Sequence, residues 1–148
     1  MANKRHTLIS HDYDADSHVY IVTIGTDMGQ FTGAAMCQPE DYQYETKYTG
    51  WELAELKAEI EYARAKRNDY NAQTESLLRF WRDMSKTRTF DPNAYWVKQL
   101  KRRVDDLDKA RNTWHDRVLA LKELYRRKVV INDEMNKRLE VYKNDKSN

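Results

Sequence analysis

Two heptad runs limit what this chain can fold into. The first starts at Leu53 and proceeds without slippage, with Leu53, Ile60, Arg67, Thr74 and Trp81 at a and Leu56, Ala63, Tyr70, Leu77 and Met84 at d. The second places Val97, Val104, Arg111, Val118, Tyr125, Asn132 and Leu139 at a, and Leu100, Leu107, Trp114, Leu121, Lys128, Met135 and Tyr142 at d. Apolar residues at alternating spacings of three and four occupy one face of a helix, and a helix this long needs that face packed on something. A short polar link, Ser85-Lys86-Thr87-Arg88-Thr89-Phe90, joins the runs. Consecutive helices so joined fold back as antiparallel neighbours.

The ends of both arms carry sequence signals. Thr49 and Glu52 fit a capping box, with Tyr48 and Leu53 as a hydrophobic staple and Gly50 tolerated in the first turn. Asp91-Pro92 reads as an N-cap followed by proline at the first helical position. The arms are therefore expected over residues 49–84 and 91–142. Turn closure sets Met84 opposite Val97, Ile60 opposite Leu121 and Leu53 opposite Lys128. The same register sets Arg67 against Trp114 and Arg111 against Tyr70, so both heptad-breaking arginines are expected on aromatic faces. Val129-Val130-Ile131 followed by Asn132-Asp133 is a weak helical stretch, which leaves open whether the second arm continues, kinks or breaks into a short third helix.

Residues 1–48 read as a small β cap with a connector, and residues 49–148 as the helical hairpin. The segment from His18 to Ile24 is β-branched and aromatic, the clearest strand. Gly25 to Gly29 follows as a hairpin loop, a return strand runs from Gln30 to Cys37, and Thr7 to Tyr13 adds a third strand. Three short strands need a covering face, which the open end of the hairpin near Leu53 and Tyr125 would supply. The predicted fold class is α+β: a small N-terminal antiparallel β-sheet followed by a long antiparallel coiled-coil hairpin.

Charged residues make up 34% of the 148 and the mean hydropathy is −1.00, figures that suit disorder unless the charges interleave with an apolar seam. The heptads supply that seam, and four tryptophans and ten tyrosines argue for real packing. Residues 1–50 hold three Lys/Arg against seven Asp/Glu, net −4, while the remainder holds 23 against 17, net +6. No stretch has the roughly 20 apolar residues of a membrane span, and the opening six residues lack a signal-type apolar run. A single cysteine, Cys37, excludes an internal disulfide. An intracellular protein without membrane contact is expected.

No motif carries catalysis or a cofactor. Walker, GxGxxG, HExxH, CxxC and GxSxG patterns are absent, and a slender coiled coil is expected to lack the concave pocket catalysis needs. The stretch from His11 to His18 holds three aspartates between its histidines. It fails as an EF-hand because Ser17 and Thr23 stand where glycine and glutamate are required. No catalytic residue, metal site or cofactor is expected. The basic groups Lys98, Lys101, Arg102, Arg103 and Lys122, Arg126, Arg127, Lys128 could touch phosphates. Asp105, Asp106, Asp108 and Glu123 interleave with them, which favours a solvated, salt-bridged face.

Phe31-x-Gly33-x-Ala35-x-Cys37-x-Pro39-Glu40-Asp41, then Gly50-x-Glu52-x-Ala54-Glu55 and a helix rich in Ala, Tyr and Arg, resemble small accessory proteins of phages and prophages of Gram-positive bacteria. The likeness covers residues 31–66. It implies a protein made in the cytoplasm of a host bacterium that binds a host protein stoichiometrically, such as a CRISPR or other defence nuclease, and inhibits it. Aromatic and arginine anchors dominate such interfaces, which singles out Tyr42, Tyr44, Arg102, Arg103, Arg126 and Arg127. The alternatives are nucleic-acid binding through the second arm and a structural spacer. The stripe Met135, Leu139, Tyr142 outruns the first arm and is expected to be covered partly by the β cap and partly by a second copy in a homodimer.

Overall fold

The computed structural model describes residues 6–147; residues 1–5, most of the opening stretch considered above, and residue 148 lie outside it. The chain is α+β, with three strands, β1 (Thr7–Asp14), β2 (Val19–Thr26) and β3 (Gly29–Met36), ahead of two long helices. A 3-10 helix (Pro39–Tyr44) leads into α1 (Lys47–Ser85), and α2 (Tyr95–Ser147) completes the chain.

The sheet is an antiparallel meander with β2 in the centre. Tyr20, Val22 and Ile24 alternate along β2 and are buried, so one face of the sheet is core. The β2–β3 turn needs a left-handed residue and Gly29 supplies it at φ 110°. Thr26 Oγ1 fastens this turn by donating to the Gly29 carbonyl at 2.8 Å and accepting from the Met28 amide. A bulge between Leu8 and Ser10 shifts the β1–β2 register.

Two compact units share the helices, and they part inside α1 and α2. The first comprises the residues up to Tyr62 together with those from Leu119, and the second is Ala63–Val118. In the first unit α1 is buried on two sides. Leu56 and Ile60 face the heptad seam, whereas Ala54, Ala58 and Tyr62 are buried off it. Gly33 of β3 lies so close to α1 that a methyl group there would strike the Ala54 carbonyl and the Ala58 amide. Gly50 is equally confined, against the ring of Tyr20, so its place reflects close packing as well as tolerance in a first turn.

Both helix starts differ from the sequence reading. Helix α1 begins at Lys47, and the Thr46 hydroxyl accepts from the Thr49 amide at 3.2 Å while donating to the Thr49 hydroxyl at 2.8 Å. Thr46 has the same three-residue spacing to Thr49 that Thr49 has to Glu52, and starting earlier adds a turn of helix beside the sheet. Helix α2 begins at Tyr95: the Asp91 carboxylate accepts from the Asn93 amide at 2.9 Å and its carbonyl from the Ala94 amide at 3.1 Å, closing a separate turn, and the first helical bonds run to the Ala94 carbonyl. Nor does α2 break at residues 129–133. The propensity cost of three β-branched residues there is a few tenths of a kcal/mol each, too small to break a packed helix.

The helix pairing follows the heptads. In the first unit Lys128 ion-pairs with Glu52, and Lys57 Nζ lies 5.4 Å from the Tyr125 ring centroid. In the second, Lys66 Nζ lies 5.8 Å from the Trp114 centroid and Arg67 Nη1 donates to His115 Nδ1 at 3.3 Å. Each pair falls within one residue of the expected antiparallel register. The arginines nevertheless do not stack on Trp114 and Tyr70. Arg67 spends its directional donors on His115 and on Asn68 Oδ1, and Arg111 donates to Asn112 at 2.9 Å beside Asp108. The Lys66 ammonium, a point charge, takes the Trp114 face instead. Phe80, Trp81, Phe90 and Trp96 pack edge to face at 6.0–6.3 Å and close the turn.

A candidate interaction surface

Beyond about residue 133, helix α2 runs out of helical partner. Glu52 already lies one turn into α1, so the seam continues past the start of its neighbour. Met135, Leu139 and Tyr142 hold the next heptad positions and are 55%, 45% and 57% exposed, with Ile131 on the same side at 53%. These residues recur every three or four positions and form one apolar stripe. Beside the stripe is a cavity of about 570 Å³, walled by α2 through Tyr125, Val129, Met135 and Leu139 and elsewhere by Cys37 and Tyr44. The β part thus approaches the stripe without covering it. Lys143 makes the link at the far end, donating to Gln43 at 3.2 Å and lying 5.1 Å from the Tyr44 ring centroid.

Glu45 fixes the connector to the sheet. Its carboxylate accepts from Tyr13 Oη at 2.8 Å and meets His18 Nδ1 at 2.5 Å. Burial opposes its charge, but the phenols of Tyr20 and Tyr13 and the His18 imidazole prevail and hold its pKa down at about 2. The Tyr20 hydroxyl is buried with no hydrogen-bond partner, so it acts on this carboxylate as a nearby dipole. His18 has a left-handed backbone (φ 54°) and stacks on Tyr42 at 3.6 Å. This contact orients Tyr42, which remains exposed.

The six anchors expected from the sequence do not form one constellation. Tyr42 and Tyr44 lie on the connector of the first unit, and the Tyr44 hydroxyl oxygen is buried without a hydrogen-bond partner. Arg126 and Arg127, in the same unit, are exposed but both engage Glu123, at 2.6 Å and 3.1 Å. Their hydrogen bonds hold the Glu123 carboxyl down at about 2. Arg102 and Arg103 are exposed in the second unit.

Burial and the neighbouring Glu45 push the Cys37 thiol up to about 11, which leaves it protonated and a poor nucleophile near neutrality. The histidines of the aspartate-rich stretch have separate partners, His11 stacking on Trp51 at 4.8 Å and His18 meeting Glu45. Among the described residues, His6, Glu55 and Glu59 converge at metal-ligand spacing. Glu55-x-x-x-Glu59 is a readable helix-face pair, but nothing in the sequence ties His6 to it across 49 residues. Ile131 was also missed, because it lies off the a and d positions. No described helix is long and apolar enough to cross a membrane. Comparison with protein-family models, curated proteins and solved structures finds no match for this chain.

Proposed function

We propose that this is a non-enzymatic protein that binds another protein stoichiometrically through the far end of α2. The observation that carries this reading is the heptad seam that continues past its partner helix, with Ile131, Met135, Leu139 and Tyr142 half exposed beside a cavity. A seam of this kind offers an apolar groove edge to a partner's helix or to inserted side chains. Tyr42, held against His18, borders the same unit as a rigid aromatic contact. Taken with the resemblance to phage accessory proteins, the partner class to test first is a bacterial defence nuclease, bound and inhibited in the host cytoplasm.

Affinity purification of the tagged chain from a host lysate, followed by mass spectrometry, tests this. One protein recovered in stoichiometric amount, and lost with Leu139→Glu, is the expected outcome. Recovery of nucleic acid alone, or of nothing, defeats the reading. Sedimentation of the purified chain decides whether a second copy covers the stripe instead; a dimer disrupted by Leu139→Glu would assign the stripe to self-association.

A second reading has its own observation. Among the described residues, Lys98, Lys101, Arg102 and Arg103 are without an ion-pair partner, unlike Arg126 and Arg127. Contact of this basic group with phosphates would give duplex binding that weakens steeply with salt. Replacing Arg102 and Arg103 by alanine should then lower the log–log salt slope by about 0.9 for each contact removed. Absence of duplex binding at low salt removes this reading.

A further inference from the structure

Three side chains of one metal-ligating class meet at the start of β1. His6 Nε2 lies 3.2 Å from Glu55 Oε1 and 3.1 Å from Glu59 Oε1. The histidine side chain is 7% exposed, while the glutamates are 32% and 18% exposed. One imidazole nitrogen carries at most one proton, so it cannot make a full, linear hydrogen bond to both carboxylates.

We propose that His6, Glu55 and Glu59 bind a divalent first-row metal ion, Zn²⁺ in preference to Mn²⁺ or Mg²⁺. The nitrogen–oxygen edges of 3.1 and 3.2 Å are those of a coordination polyhedron whose bonds are about 2.0–2.2 Å long. All three donor atoms lie within 4.8 Å of one another, so a side-chain rotation of either glutamate closes the remaining edge. Helical spacing of four puts Glu55 and Glu59 on the same face of α1, and the entry to β1 delivers His6 from the other side. One imidazole with two carboxylates favours zinc over magnesium, which prefers oxygen ligands and retains its water; zinc also outranks manganese in intrinsic affinity. Three protein ligands leave a coordination position for water. The ion would clamp the start of the edge strand β1 onto α1 within the first unit, where no covalent link does so.

The test uses the full chain, stripped with chelator and titrated with Zn²⁺, Mn²⁺ and Mg²⁺ by calorimetry, with thermal unfolding followed in parallel. The expected result is one Zn²⁺ per chain, a rise in Tm on its addition, and weaker binding of Mn²⁺ and Mg²⁺. His6→Ala and Glu59→Gln should each weaken Zn²⁺ binding by more than about tenfold, the lower bound set by losing even a supporting group of a metal site. Circular dichroism confirms that each variant is folded, and Glu55→Gln serves where one of them is not. His11→Ala, His18→Ala and Cys37→Ser should leave the affinity unchanged. No Zn²⁺ binding, or binding that survives His6→Ala and is lost in one of those three, overturns the proposal. So does a His6→Ala variant that loses stability while Zn²⁺ never shifts the Tm of the parent chain, since that result leaves an ion pair only.

Discussion

Gly33 sits where β3 crosses α1, and an added methyl group would meet backbone atoms of Ala54 and Ala58 that cannot swing aside. Gly33→Ala should therefore cost about 1–3 kcal/mol or more, as overpacking does in a close-packed core, and urea unfolding would read it as a lower midpoint. Glu45 makes a different kind of prediction. Its pKa falls from 4.5 to about 2 on folding, so its contribution is fully present above 4.5 and drains away as pH falls towards 2. Glu45→Gln should destabilise the chain by about 1.5–3 kcal/mol near neutrality, the range for hydrogen bonds to a charged group. Urea unfolding at descending pH would show the gap to the parent chain narrowing as pH falls from 4.5 towards 2. Neither role was visible in the sequence. The confinement of Gly33 and the partners of Glu45 arise from packing between distant segments, and no local pattern encodes them.

At the level of elements, the heptads and the alternation along β2 were legible because each depends on a period that burial enforces. Tyr20, Val22 and Ile24 had to share a face, and so did Leu107, Trp114, Val118 and Leu121. Helix starts were less legible, since Thr46 and Thr49 offered competing caps at one spacing and Asp91 satisfied an amide without starting a helix. The register was readable to within a residue, and that was too coarse to choose between Lys66 and Arg67 for the face of Trp114. The cap assignment can be tested directly. Thr46→Ala should destabilise by about 1 kcal/mol, and Thr49→Ala by less, because Thr49 contributes to the cap chiefly through its amide. Equal effects in thermal unfolding would contradict this.

Across the whole molecule, the residues that stabilise the fold and those of the exposed stripe are largely separate. The exposed stripe Ile131, Met135, Leu139 and Tyr142 contributes its solvent-facing side, so Ile131→Glu should change stability by no more than about 0.5 kcal/mol. The same change should abolish capture of a partner that docks there, and denaturation alongside pull-down separates the two effects. The expected anchors were only partly informative because sequence identifies residue types, not their company. Arg126 and Arg127 looked available until Glu123 took both, and Tyr44 proved half-buried.

The double burial of α1 also bears on how this chain can diverge. Where β3 lies on one side of a helix and a second helix on the other, size is the constrained property and charge is nearly free. Relatives are thus expected to alter the ionic face of α2 extensively before they enlarge residues 33, 50, 54 or 58. Descent in such a lineage would be traced through a handful of small residues, while the exposed ionic surface is free to be rewritten.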